Sequence, residues 1–296
     1  MFLDPLAMNV VDYVGGRADL QARLIRAIGD PAARFDEDYL RLLRAVRFAA
    51  RLDFPIEPVT LAAIQGRAHR LASVAAERAR EELEKMLSHP SRRQAWSLLG
   101  ECGLLQHLWS GAGWAPEQLR TVDTFLGRLP PEAPFELALA ILLADRGPAE
   151  IERIARALTL SNDQRQSAAW LVAHQTDLDD PQAVSLARLK RLMACRPFEA
   201  LTMLARVRYQ GLPDGPGRLA ALEARIGSIS PDAVQPPPLI TGDDLLSRGL
   251  EPGPVYKEIL DALYTQQLDE RLVSREQALE VLDQMLRSCG PGRRSV

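Results

Sequence analysis

The sequence predicts a mainly all-α protein with a short β-ribbon at its N-terminus. Three observations lead there. Leu, Ala, Arg and Glu dominate the 296 residues, and only 5% are aromatic, a composition that favours helix over sheet. Apolar residues recur at helical spacing through most of the chain. Strand-like runs are confined to the first fourteen residues.

The bulk properties narrow the function classes. A chain of this length can bury sizeable cores and hold two or three small domains. Hydrophobic residues make up 47% and charged residues 25%, ordinary for a folded soluble protein. A net charge of -3 and a pI near 5.9 exclude a broadly basic nucleic-acid coat but leave room for a local basic patch. Cys102, Cys195 and Cys289 are odd in number and far apart. They form neither a disulfide framework nor a zinc spacing, which predicts a reducing, cytoplasmic setting. No signal peptide is read at Met1-Phe2-Leu3-Asp4-Pro5, and no apolar run is long enough to span a bilayer. No membrane partner is expected.

Taken in order, residues 1–14 read as two strands, Met1 to Leu3 and Asn9 to Val14, around a turn at Asp4-Pro5. A lone two-strand ribbon is marginal in water, so further sheet is expected outside this sequence. Gly15-Gly16 then suits a turn or hinge.

The stretch from Arg34 to Phe48 is the most informative. Read as one helix at ~100° per residue, it places Asp38, Arg41, Arg44 and Arg47 at spacing three, each a surface neighbour of the next. Tyr39, Leu42, Leu43 and Val46 gather on another face, available for burial. A carboxylate beside a guanidinium can pair with the Watson–Crick edge of cytosine or adenine, and suits guanine or uracil poorly. The further arginines can meet phosphate. A solvated, salt-bridged face is the alternative reading of the same residues.

Phe54-Pro55-Ile56-Glu57-Pro58 breaks that helix. Thr60 is expected to cap the next, which runs to about Arg70. Residues 75–87 are strongly helical, with Arg78–Glu82 and Glu81–Lys85 at pairing distance. Beyond Ser91, Trp96, Leu98, Leu99, Leu104, Leu105, Leu108 and Trp109 form an apolar surface, and Gly111-Ala112-Gly113 and Pro130-Pro131 mark loops. Phe135 to Asp145 reads as a buried helix, and Ser161-Asn162-Asp163 as a capped helix start. Arg188, Lys190, Arg191, Arg206 and Arg208 form the best candidate patch for an RNA backbone, a solvated helix face being the alternative. Pro231 to Pro238 reads as a stiff connector. Thr241 can cap a short helix after it, and Gly290 to Arg294 reads as a frayed end. The four histidines lack ligand spacing and read as structural or surface residues. No metal site is expected in this chain.

Asp30-Pro31, Arg34-Phe35, Glu37-Asp38, Arg41, Arg44, Arg47-Phe48-Ala49-Ala50-Arg51-Leu52 and Phe54 resemble the nucleotide-selecting motif of the bacterial class II tRNA nucleotidyltransferase (CCA-adding) and poly(A) polymerase family. By that resemblance Asp38 and Arg41 select CTP and ATP, with Arg44 and Arg47 as further nucleotide contacts. Asp12, Gly15, Gly16, Asp19 and Leu20 match the hinge between the family's catalytic head and its neck. Glu77, Arg78, Glu82 and Lys85 match the motif that braces the reading helix, alongside Glu37. Ala75 replaces a capping Ser of the family, with Ser73 as a substitute cap. Ala144 stands where relatives with an appended phosphohydrolase domain have a His before the Asp at 145.

The resemblance implies a division into a head remnant and hinge (1–28), a base-selecting neck (29–100), a body (101–228), a Pro-rich linker (229–238) and a tail (239–296). The ribbon would then be left from a truncated α/β nucleotidyltransferase head. The family's two Mg2+-binding carboxylates, one residue apart on a strand after a glycine turn, have no counterpart here. Asp36-Glu37-Asp38 has the spacing but a helical context, and Met1 falls where the family has a methionine inside the head. The expectation is tRNA 3′-end CCA addition, with this chain supplying base selection and tRNA binding but no catalytic residue, and inactive alone. Its partners would be tRNA, CTP and ATP, with no DNA, plus a missing N-terminal domain or a separate head subunit. The alternatives are a bacterial poly(A) polymerase and a non-catalytic RNA-binding module.

Overall fold

A computed structural model describes residues 1–288 except Asp4, Ala7 and 109–112. The readings made for the Asp4 turn, for Trp109 and residues 111–112, and for Cys289 to Arg294 lie outside the described residues. Among those described are eighteen α-helices, one 3₁₀ segment and one two-stranded ribbon. The chain divides into two compact units, Met1–Gln175 and Thr176–Val296.

In the first unit, β1 (Phe2–Leu3) and β2 (Val10–Val11) pair antiparallel, Phe2 opposite Val11 and Leu3 opposite Val10. The second strand is shorter than expected because Asp12 turns the chain. Its carboxylate accepts the N–H groups of Val14 (3.1 Å) and Arg17 (2.7 Å), and Gly15 takes the left-handed conformation (φ 76°) that glycine adopts without steric cost. Helix α1 (Gly16–Gln21) follows.

Next come α2 (Pro31–Glu37), α3 (Leu40–Leu52), α4 (Pro58–Arg67), a 3₁₀ segment (Ala68–Ser73), α5 (Ala76–Leu87) and α6 (Arg92–Glu101). Asp30 caps α2 by accepting the Ala32 N–H at 2.9 Å, with Pro31 in the first turn, where its missing N–H costs nothing. Leu42, Leu43 and Val46 of α3 are fully buried against α5 and α6. Helices α7 (Leu105–Leu108), α8 (Pro116–Arg128), α9 (Phe135–Leu143), α10 (Gly147–Ala157) and α11 (Asn162–His174) complete the unit. Every residue of α9 except Glu136 is buried, as its unbroken apolar run requires. It packs against α5, α8, α10 and α11.

Two expected caps are different. Thr60 lies inside α4, which begins at Pro58. Its hydroxyl donates to Glu57 (2.7 Å) and accepts the Ala27 N–H (3.2 Å), tying the segment before α2 to α4. Ala75 precedes α5 with no side-chain cap, and the Ser73 hydroxyl donates instead to the Arg70 carbonyl (2.7 Å). One buried cation had no sequence signal. Arg92, 1% exposed, donates to the carbonyls of Leu87 (2.9 Å), Leu129 (3.3 Å), Pro130 (2.9 Å) and Pro131 (2.9 Å).

The second unit contains α12 (Leu186–Met193), α13 (Phe198–Tyr209), α14 (Gly215–Gly227), α15 (Pro231–Val234), α16 (Gly242–Leu246), α17 (Pro254–Leu268) and α18 (Arg275–Ser288). Ile240, Leu245, Ile259, Leu263, Leu272 and Leu282 share one of its apolar clusters. Thr241, expected to cap α16 with its hydroxyl, makes no side-chain cap bond; instead the Asp244 carboxylate accepts the Thr241 N–H (2.9 Å) and hydroxyl (3.2 Å). The proline-rich stretch, expected to be a stiff connector, begins as helix α15 (Pro231–Val234), and its later residues are docked. The Tyr264 hydroxyl donates to the Pro236 carbonyl (3.1 Å), and the Gln267 side chain bonds Pro237 (2.8 Å) and the Leu239 N–H (2.9 Å). Proline lacks a donor, so the carbonyls of this stretch are met by side chains of α17.

Candidate nucleotide-reading site

The expected single helix from Arg34 to Phe48 is two. Helix α2 ends at Glu37 and α3 starts at Leu40. Asp38 lies between them with an extended backbone (φ -159°, ψ 105°). Its carboxylate accepts the Leu40 N–H (3.1 Å), the task that short acidic side chains perform at helix starts. Asp38 is therefore not one helical step below Arg41, and the row at spacing three begins at Arg41. Of the triplet Asp36-Glu37-Asp38, only the first two residues are helical.

Asp38 and Arg41 do not pair with each other. Arg78 of α5 meets Asp38 with two contacts, Nη2–Oδ2 2.8 Å and Nη1–Oδ1 3.3 Å. That contact, with the Leu40 N–H, holds the Asp38 carboxyl below its ordinary pKa. Arg41 donates through Nη1 to Glu37 (2.6 Å) and to the Arg34 carbonyl (2.7 Å). Glu37 also takes Arg34 (2.6 Å); Arg41 and then Arg34 lower its pKa. Both reading candidates stay reachable: the Asp38 side chain is 30% exposed and that of Arg41 33%. Asp38 Oδ1 already accepts from Leu40 and Arg78, Oδ2 accepts only from Arg78 and keeps an acceptor site, and Arg41 keeps Nε and Nη2. The two side chains can thus offer one acceptor edge and one donor edge to a planar ligand.

Arg47 and Arg44 differ sharply. Arg47 binds Glu82 of α5 through Nε (2.6 Å) and lies over the Phe48 ring, 4.3 Å from its centroid. Arg44 is exposed, and no carboxylate among the described residues pairs with it. Glu82 is 3% exposed and also meets Lys85 (3.4 Å), which reaches Glu81 at 3.8 Å. The expected Arg78–Glu82 pair within α5 is absent because each reaches across to the α2–α3 region instead. Glu77 is exposed in the first turn of α5 with no partner among the described residues, so the links from α5 to the α2–α3 region are made by Arg78 and Glu82, with Lys85 beside Glu82 on the same helix.

The hinge residues are Asp12 and Gly15, in the turn described above, Gly16 at the start of α1, and Asp19, which pairs with Arg26 (3.2 Å). A concavity of about 360 Å³ runs from this segment to Phe48, Leu52 and Phe54. It lies along α3 but is not lined by Asp38 or Arg41.

The five basic residues expected to form an RNA-backbone patch are all engaged within the second unit. Arg188 pairs with Asp177 (2.5 Å), Arg191 with Asp261 (2.8 Å), Arg206 with Glu223 (3.1 Å) and Arg208 with Asp179 (2.6 Å). Lys190 corrects the sequence reading outright: it is 2% exposed and bound to Glu270 (2.9 Å), so it cannot meet an RNA backbone. Sequence periodicity missed these acids because most lie on other elements.

Mg2+, which the family resemblance implies, does not fit these residues. Among the described residues no group of three or more His, Cys, Asp or Glu side chains could hold a metal ion. Asp36, Glu37 and Asp38 are each spent on a different arginine. No helix among the described residues is long and apolar enough to cross a membrane.

Comparison with known proteins places this geometry. A family described as the probable RNA and SrmB-binding site of polymerase A matches residues 53–112. The CCA-adding enzyme of Geobacillus stearothermophilus is 33% identical over 257 residues, covering 86% of this chain and 62% of the relative. The CCA-adding enzyme of Levilactobacillus brevis is 30% identical over 289 residues, covering 94% of this chain and 68% of the relative. The crystal structure of the Bacillus stearothermophilus CCA-adding enzyme in complex with CTP superposes with a TM-score of 0.77 at 28% identity, over 94% of this chain and 69% of that one. The chain thus spans about three fifths of the length of the Geobacillus relative. With a helical fold shared along nearly its whole length, the chain belongs to the CCA-adding enzyme family, the class II tRNA nucleotidyltransferase and poly(A) polymerase family that its sequence resembles.

Proposed function

We propose that this chain supplies base selection and tRNA binding for CCA addition to tRNA 3′ ends from CTP and ATP. One observation carries the reading: Asp38 and Arg41 are each pinned from behind, by Arg78 and Glu37, and keep their outward hydrogen-bonding atoms open. Asp38 accepts from the exocyclic amino group of cytosine or adenine. Arg41 donates to cytosine N3 or adenine N1. Guanine and uracil present the opposite pattern and leave charged groups unpaired, which is costly. Arg44 meets the triphosphate, while Arg47, held by Glu82, keeps the helix in place.

Phosphoryl transfer, the attack of a tRNA 3′-hydroxyl on the nucleotide α-phosphate with release of pyrophosphate, is assigned to carboxylates outside residues 1–296, in a nucleotidyltransferase head. Exposed apolar side chains at Leu3, Leu6, Met8, Tyr13 and Ile28, with Phe48 and Leu52 of α3, give such a head a surface to cover. We assign residues 29–100 to a neck, 101–228 to a body and 239–296 to a tail that share the tRNA.

The test is nucleotide binding to the chain and its Arg41→Ala and Asp38→Ala variants. The wild type should prefer CTP and ATP over GTP and UTP, and each variant should lose roughly tenfold or more of that preference, the scale of one bidentate base contact. Equal binding of all four by the wild type refutes the reading. The match to a polymerase A RNA-binding site favours a second reading, poly(A) addition. In the complete enzyme, incorporation on a tRNA lacking its terminal CCA, set against an unstructured RNA, separates the two.

A further inference from the structure

Asp36 takes no part in the reading above, yet it makes one of the most regular contacts around the site. Its carboxylate meets Arg67 with two parallel bonds, Nε–Oδ1 2.8 Å and Nη2–Oδ2 2.8 Å. Asp36 lies in the last turn of α2, and Arg67 is the last residue of α4. The Tyr39 hydroxyl approaches the same Asp36 Oδ1 at 3.4 Å. Asp38 therefore sits between Asp36, tied to a guanidinium on another helix, and Tyr39, whose hydroxyl leans on that same Asp36.

That matters because Asp38 itself lies outside both helices. Its N–H reaches only the Phe35 carbonyl, at 3.2 Å, its own carbonyl accepts the Arg41 N–H at 3.1 Å, and with an extended backbone its side chain takes no helical direction. The direction depends on how the end of α2 is anchored. A bidentate guanidinium–carboxylate fork fixes orientation as well as distance. The three consecutive acids are shared out accordingly: Asp36 to α4, Glu37 to Arg34 and Arg41, Asp38 to α5.

We infer that the Asp36–Arg67 pair is a positioning element for base selection, setting the exit of the chain from α2 so that the Asp38 carboxylate faces the nucleotide with Arg78 behind it. The inference rests on the nucleotide-reading role proposed for Asp38. It makes Asp36 and Arg67 determinants of specificity without contact to substrate.

Two readouts on the 296-residue chain test it. The first is the NMR titration of the Asp38 carboxyl carbon. Removing the negative charge of Asp36 would by itself lower the Asp38 midpoint, because a like charge is gone. Loosening the junction raises it, because Asp38 then loses part of its contact with Arg78. Asp36→Asn should raise the midpoint, Arg67→Gln should raise it too, and the exchanged pair Asp36→Arg/Arg67→Asp should restore it. A midpoint that stays or falls in Asp36→Asn overturns the inference. The second readout is affinity for CTP against UTP. Asp36→Asn should weaken CTP roughly threefold, the loss of one exposed pair, and leave UTP unchanged, with recovery in the exchanged pair. A preference that survives intact in Asp36→Asn also overturns the inference. A wild-type chain with no preference refutes the nucleotide-reading role instead, and base selection by Asp36 with it.

Discussion

Replacement of Glu82 by alanine should destabilise the first unit far more than an ordinary surface change. Glu82 is 3% exposed, and Arg47, its partner at 2.6 Å, is 11% exposed. Removing one member of a buried pair leaves the other charge without compensation, at a cost of about 3–5 kcal/mol. Arg47 keeps the face of Phe48 at 4.3 Å and a strip of solvent, which recovers about 1 kcal/mol. The expected loss is therefore about 2–4 kcal/mol. Urea unfolding followed by tryptophan fluorescence measures it selectively, because all four tryptophans (Trp96, Trp109, Trp114 and Trp170) lie before residue 176. With a slope of about 2 kcal/mol/M for a unit of this size, the midpoint should fall by about 1–2 M. Lys85→Ala is the control. Its side chain is 48% exposed and its ammonium no closer than 3.4 Å to Glu82, so its removal should cost about 0.5 kcal/mol or less. A Glu82→Ala loss below about 0.5 kcal/mol would refute the view that Glu82 holds α3 to α5.

Three further outcomes follow from the same geometry. Ala75→Ser gives α5 the cap it lacks; with the backbone already extended there (ψ 130°), thermal unfolding should show a gain of about 0.5–1 kcal/mol. Arg92→Lys keeps the charge but not the fork that serves four carbonyls, and the same fluorescence assay should show a loss of about 2–4 kcal/mol. Acid titration should leave the site intact to unusually low pH. Asp36, Glu37 and Asp38 all have pKa values lowered by their arginine partners, so their stabilisation is complete above the unfolded value, about 4. It fades only as pH falls through the lower folded values. Nucleotide preference that decays between pH 6 and 5 would contradict this.

The helical class, the early ribbon, the buried faces of α3 and α9 and the cap at Ser161 were all legible in the sequence, because each depends on residues within a few positions of one another. The break at Asp38 was not. Residues 34–48 contain no proline or glycine to announce it. It is favoured by an acid that satisfies the Leu40 N–H and is itself held by Arg78, forty positions away.

The chain's order of residues by itself determined which side chains are proposed to read the base: one carboxylate, a following guanidinium, and a family pattern long enough to name them. Only the tertiary structure decided how they are used. It gave Asp38 to Arg78, Arg41 to Glu37, Arg47 to Glu82 and Asp36 to Arg67, and it neutralised the basic stretch of the second unit. The physical reason is that charges choose partners by distance in space. At a helix surface, several candidates of opposite sign lie within reach, and local spacing cannot rank them. Packing of α3 on α5 and of α2 on α4 sets those distances.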